Sequence, residues 1–109
     1  MTDSLDAVFG ALADPTRRQI VQRLVQRGPA SATDLAGAFP ITRQAIVKHL
    51  QVLAEAGLVD GARAGREVRY GAAVEGLADA QQWLARTGQT WDRRLGRLRA
   101  QLERQLGDH

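Results

Sequence analysis

The chain has 109 residues, 44% of them hydrophobic and 25% charged, with a formal net charge of +3 and no cysteine. That size and balance describe one globular domain with a modest core and exclude a disordered chain. They also exclude disulfides, thiolate chemistry and cysteine metal sites, and no apolar run approaches the roughly 18 residues that would span a bilayer.

Leu5, Val8, Phe9 and Leu12 follow the i, i+3, i+4, i+7 spacing of an amphipathic helix, expected over residues 3–13 with Asp3 or Ser4 as its cap. Asp14-Pro15 starts a second helix, 15–27, with Asp as N-cap and Pro in the first turn. Its apolar stripe is Ile20, Val21, Leu24 and Val25, and Gly28-Pro29 ends it. Ala30-Ser31-Ala32 reads as extended. Thr33 is the expected cap of a short third helix, 33–39, bearing Leu35, Ala36 and Phe39.

Pro40-Ile41 makes a tight turn into a fourth helix, 42–56, capped by Thr42 and stopped at Gly57. Ile46, Leu50 and Leu53 lie on one side of it, which leaves Arg43, Gln44, Val47 and Lys48 on the other. A wing follows over 58–72. Leu58-Val59 and Val68 to Tyr70 have strand character, and the Ala64-Gly65-Arg66 tip reads as a hairpin turn. From Gly76 to Leu106 the chain is helical again. Trp91, Leu95, Leu98, Leu102 and Leu106 repeat at helical spacing, Leu77 and Leu84 extend the stripe backward, and Gly88 is a candidate kink.

Two short helices joined by a tight turn and followed by a hairpin define the fold class: mainly α with a two-stranded β wing, a winged helix-turn-helix in a single domain. In that arrangement the second helix of the pair enters the DNA major groove. Arg43 and Gln44 have the donor and acceptor geometry for guanine and adenine edges, Val47 can meet a thymine methyl, and Thr42 can reach a phosphate as well as cap the helix. Arg63, Arg66 and Arg69 make the wing basic, suited to the backbone or a narrow minor groove. Strand alternation sends neighbouring wing side chains to opposite faces, so the three are not expected to act together. The pI of about 10.5 is carried by arginine, since Lys48 is the only lysine, and agrees with an anionic partner.

The segments ALADPTRRQIVQRL, ITRQAIVKHLQVLAEAGLV and AGREVRYGA resemble the ArsR/SmtB family of bacterial repressors, in order, across about residues 5 to 73. The resemblance implies a homodimer on an inverted-repeat operator, commonly near its own promoter, released from DNA when an inducer binds. It also implies pairing of the first and last helices across the dimer, and WDRRLGRLRAQLE is similar to the tail of metal-independent members. The expected interface residues are Leu5, Val8, Phe9, Leu84, Trp91, Leu95, Leu98 and Leu102. Cysteine-based sensors in the family carry a Cys-x-Cys pair before the Asp-Leu of the third helix. Here Ser31 and Thr33 stand there, and neither is a soft-metal ligand. No His falls between Leu77 and Leu106, and Asp79, Asp92 and Glu103 are well separated, so no metal or other cofactor is expected and no residue marks an inducer.

The remaining polar and aromatic residues admit more than one role. Arg17 and Arg18 could touch phosphate or form structural ion pairs. His49, beside the Ile46-Leu50 face, reads as a packed, hydrogen-bonded residue more than a pH sensor. Trp83 and Trp91 read as core or dimer packing more than pocket walls. No paired carboxylates, activated nucleophile or phosphate-cradling loop points to catalysis. Two alternatives to a plain DNA-binding regulator stand beside it: a repressor with a small-organic-effector pocket near the last helix, and a winged-helix module that binds protein. Because MTDSLDAVFG lacks the basic-then-apolar pattern of a signal peptide, the expected location is the cytoplasm, with the nucleoid, and away from membranes.

Overall fold

A computed structural model describes residues 2–107 of the chain. His109 lies outside them. The element order is α1 (Thr2–Leu12), α2 (Pro15–Arg27), β1 (Ala30–Ser31), α3 (Ala32–Ala38), α4 (Arg43–Glu55), β2 (Val59–Ala64), β3 (Glu67–Ala72) and α5 (Val74–Gly107).

Local chemistry sets most of the boundaries. The Asp14 carboxylate accepts from the backbone N–H of Thr16 at 2.7 Å and of Arg17 at 3.1 Å, so α2 begins at Pro15. Gly28 ends it with φ 86°, in the region glycine reaches without strain. The third helix begins one residue earlier than its sequence indicates, at Ala32. Ser31, not Thr33, is its cap: the Ser31 hydroxyl accepts from Asp34 N–H at 3.0 Å, and the Asp34 carboxylate accepts from Ser31 N–H at 3.3 Å. This reciprocal box satisfies two otherwise orphaned donors, and it leaves Thr33 inside the first turn. The fourth helix ends in a six-to-one and five-to-two pair, Leu58 N–H to Leu53 carbonyl at 2.9 Å and Gly57 N–H to Ala54 carbonyl at 3.0 Å, with Gly57 at φ 75°.

The extended Ala30–Ser31 segment has a definite use. It pairs antiparallel with β3, Ala30 opposite Tyr70 and Ser31 opposite Arg69, so the wing hairpin becomes part of a three-stranded sheet in the order β1-β3-β2. Within the hairpin, Val59 pairs with Ala72 and Ala64 with Glu67. The two-residue tip, Gly65-Arg66, has positive φ at Gly65 alone, which is the pattern of a type II′ turn.

The core gathers Ile20, Leu35, Ile46, Leu50, Leu53 and Leu58, all at 0% exposure, from α2, α3, α4 and the start of the wing. Val8 joins them at 1% and Val25 does not, at 59%. The outlying Val25 falls on the edge of the α2 stripe, where it borders an open cleft against β3 and the base of α5 instead of entering the core. Gly76, in the first turn of α5, packs against the end of α4 so closely that a Cβ there would lie 2.9 Å from the Gly57 carbonyl carbon, nearer still to its oxygen.

The last helix is 34 residues long, unbroken through Gly88, and about 50 Å from end to end. From Gln81 onward nearly every residue is exposed. The chain therefore measures 73 × 31 × 20 Å, with a radius of gyration of 19.7 Å. A compact domain of this length would have one of about 13 Å.

Two measurements check these packing and capping arguments. Gly76→Ala should lower stability by about 1–3 kcal/mol in urea unfolding, because backbone cannot yield as a side chain would. Backbone hydrogen bonds from Arg17 to Asp14, and from Ser31 to Asp34, hold both carboxyls below their ordinary value of 3.8. Each then favours the folded state above that value, and the contribution is lost as pH falls through it toward the lower folded values. The acid limb of the pH–stability profile should shrink in Asp14→Asn and Asp34→Asn.

Candidate nucleic-acid interface

The fourth helix is presented rather than enclosed. Its cap, Thr42, accepts from Ala45 N–H at 3.1 Å through its hydroxyl, and that hydroxyl keeps its own proton for an outside acceptor. Ile46, Leu50 and Leu53 hold the inner side against the core, while Arg43, Gln44 and Lys48 are exposed on the outer side. Val47 departs from its expected outward position. It is half-buried and packs on the edge of the core, because its direction lies between the outer face and the wing.

Between α4, the start of α3 and the wing runs a groove of about 300 Å³, lined by residues that include Thr33, Arg43, Val47, Arg66, Val68 and Tyr70. Strand register decides which wing side chains share it. Arg63 pairs with Val68, and Gly61 with Tyr70, so those four positions lie on one face of the hairpin. Gly61 makes room for Tyr70: a Cβ there would stand 3.1 Å from the ring.

Arg69 belongs to the other face. Its guanidinium donates to the Pro29 carbonyl at 2.9 Å, which ties β3 to the segment entering β1. Of the three wing arginines named from sequence, Arg63 therefore lies on the groove face and Arg66 at the tip, and Arg69 is turned away and engaged.

Two more arginines have structural employment. Arg17 donates through Nε to the Ala11 carbonyl at 2.7 Å and through a terminal nitrogen to Gly10 at 3.3 Å. Its other terminal nitrogen stands 3.5 Å from His49 Nδ1 and 3.8 Å from the Asp14 carboxylate. Arg18 donates to the carbonyls of Leu12 at 2.7 Å and Ala13 at 3.1 Å. Both thus satisfy acceptors at the C-terminal end of α1, where cations are favoured. His49 is half-buried in this cluster, a packed position.

The expected interface residues divide. Leu84, Trp91, Leu95, Leu98 and Leu102 are each about half exposed or more along α5. Phe9 is partly buried and meets Trp83 edge to face, ring centroids 5.3 Å apart, with Leu5 beside them. Val8 is withdrawn into the chain's own core, since the i+3 step from Leu5 turns it toward α2 and α4. Thr33, Val68 and Tyr70 are groove residues that sequence reasoning missed. The Val68/Tyr70 alternation was a signal for Tyr70; nothing local marks Thr33, whose place depends on the angle between two helices. Among the described residues no group of three or more His, Asp or Glu side chains is placed to hold a metal ion, and no helix is long and apolar enough to cross a membrane.

Comparison with known proteins agrees with this architecture. A family described as a helix-turn-helix domain matches residues 12–62. An ArsR-like transcriptional regulator from Rhodococcus sp. RHA1 superimposes with a TM-score of 0.75 at 42% identity, over 91% of this chain and 92% of that one. The chain belongs to the ArsR family of winged helix-turn-helix transcriptional regulators. The regulator is also 34% identical over 80 residues to the transcriptional repressor SdpR of Bacillus subtilis (strain 168), across 73% of its own length and 88% of the relative's. A homodimeric winged helix-turn-helix DNA-binding domain, Mb0332 of Mycobacterium bovis, superimposes with a TM-score of 0.65 at 30% identity, over 84% of this chain and 81% of that one.

The Arg17 arrangement makes a prediction that separates structure from DNA contact. Arg17→Ala should cost about 1 kcal/mol of thermal stability, the scale of a lost hydrogen bond. Its affinity for DNA, measured at a temperature where both proteins are folded, should match that of the parent.

Proposed function

We propose that this regulator is a homodimeric repressor, acting on its own operon, that reads an inverted-repeat operator. The α4 helices of the two protomers would enter successive major grooves about one turn apart, with the wings on the backbone or minor groove. The observation that carries the reading is the one-sided burial of α4. Its core face is closed, while Arg43, Gln44 and Lys48 stand in solvent beside a wing that offers Arg63 and Arg66.

Support for two copies comes from α5. Trp91, Leu95, Leu98 and Leu102 are exposed as one stripe on a helix that leaves its own domain behind. A patch of that kind marks an interaction surface, and a second α5 offers a stripe of the same spacing. That SdpR is named a repressor and Mb0332 a homodimer agrees with the same reading.

Footprinting on the promoter upstream of the regulator's own gene tests it, and should protect two symmetric half-sites. In binding assays on that site, Arg43→Ala or Gln44→Ala should cost about 1–3 kcal/mol and relax base preference. Arg66→Ala should weaken all sequences alike and reduce the salt slope by about one. Leu95→Asp with Leu98→Asp should give a monomer in sedimentation and abolish operator binding. A variant set with undiminished affinity and unchanged salt dependence would rule the assignment out.

A second reading, in which a small organic effector controls the repressor, has one observation of its own. An apolar cleft of about 440 Å³ lies between α2, β3 and the base of α5, with Leu24, Val25, Leu77, Ala78 and Gln81 among its walls. That volume is within the range of small-molecule sites. Thermal stabilisation in a metabolite screen, lost in Ala78→Phe, would favour it.

A further inference from the structure

We propose that Thr33 is a positioning residue for sequence reading: its hydroxyl holds the Arg43 guanidinium so that only the guanidinium's end-on edge faces the DNA. The proposal rests on the reading of Arg43 as a base-contacting residue and adds what aims it. Arg43 Nε donates to Thr33 Oγ1 at 3.2 Å, a bond that crosses the turn of the helix-turn-helix. It is the first residue of α4, so no preceding turn of its own helix supports its side chain. An unsupported arginine at that place samples many rotamers, and binding must suppress all but one.

The bond to Thr33 suppresses them in advance. With Nε engaged, the two terminal nitrogens remain, and they form the parallel pair of donors that fits guanine O6 and N7. Val47, Val68 and Tyr70 line the same groove as Arg43, giving apolar surface for its methylene stem. The acceptor is held in place, because the reciprocal Ser31–Asp34 bonds bracket Thr33 and fix the backbone on either side of it. Thr33 itself is exposed, so removing its hydroxyl leaves no buried group unpaired.

The test compares Thr33→Val, Thr33→Ser and Arg43→Ala with the parent by fluorescence anisotropy. The probes are the footprinted operator, a scrambled duplex of equal length, and the operator with 7-deazaguanine replacing each half-site guanine in turn. Thr33→Val keeps the shape and loses the acceptor. It should lower the ratio of operator to scrambled affinity about five-fold, the size of one modest hydrogen bond, with an unchanged melting temperature. Thr33→Ser should restore the ratio. The deficit of Thr33→Val should vanish on the one 7-deaza operator that also erases the effect of Arg43→Ala.

Equal weakening on operator and scrambled DNA would overturn the proposal, because Thr33 would then be touching phosphate. Parental behaviour of Thr33→Val, while Arg43→Ala loses specificity, would overturn the positioning role and leave the base-reading role standing. Undiminished specificity in Arg43→Ala would overturn both.

Discussion

Everything the molecule presents to the outside depends on how α4 is seated. Three residues on one side of it, Ile46, Leu50 and Leu53, are wholly removed from water. Burial of side chains this size is worth about 1.5–3 kcal/mol each, enough to fix the rotation of the helix about its axis. The polar residues at its N-terminus then have no choice of direction. A helix held at one face and capped at both ends, by Thr42 and by the Gly57 turn, can offer side chains without being loosened by what they touch.

The same seat joins α4 to the rest of the chain. At its C-terminal end, Gly57 meets the backbone of α5 through Gly76, with no side chain between them. At its N-terminal end, Arg43 reaches across to Thr33 on α3. The helix that faces DNA in the proposed complex is thus fastened to the helix proposed to carry the second subunit. The apolar cleft lined by Leu24, Leu77 and Gln81 opens beside the same first turns of α5.

Arginine in this chain illustrates how one residue type is divided by geometry. Arg17 and Arg18 close the end of α1, and Arg69 ties the sheet to Pro29. Arg43, Arg63 and Arg66 are the ones on the groove side or at the wing tip. All carry the same charge, and net charge alone cannot tell them apart. What separates them is whether an unsatisfied backbone carbonyl lies within reach. The end of a helix and the entry to a short strand both supply such carbonyls, and the arginines nearest to them are taken up in satisfying them.

Much of this was legible in the residues themselves. Apolar spacing located each helix, Asp14, Thr42 and Gly57 bounded them, and the hairpin tip at Gly65 followed from turn chemistry, because these are short-range effects set by neighbours in sequence. The stripe of Trp91, Leu95, Leu98 and Leu102 was equally plain, as was the outward direction of Arg43, Gln44 and Lys48. What tertiary structure alone decided were matters of distance between segments. Ser31 displaced Thr33 as a cap because β1 pairs with β3 and sets the start of α3. Val8 went inward and Val25 outward because the helices cross at angles that periodicity does not encode. Arg69 was placed on the face away from the groove by the strand register and tied there to a carbonyl 40 positions away in sequence. Spacing along a chain determines which face a side chain shares, and only packing determines what that face meets.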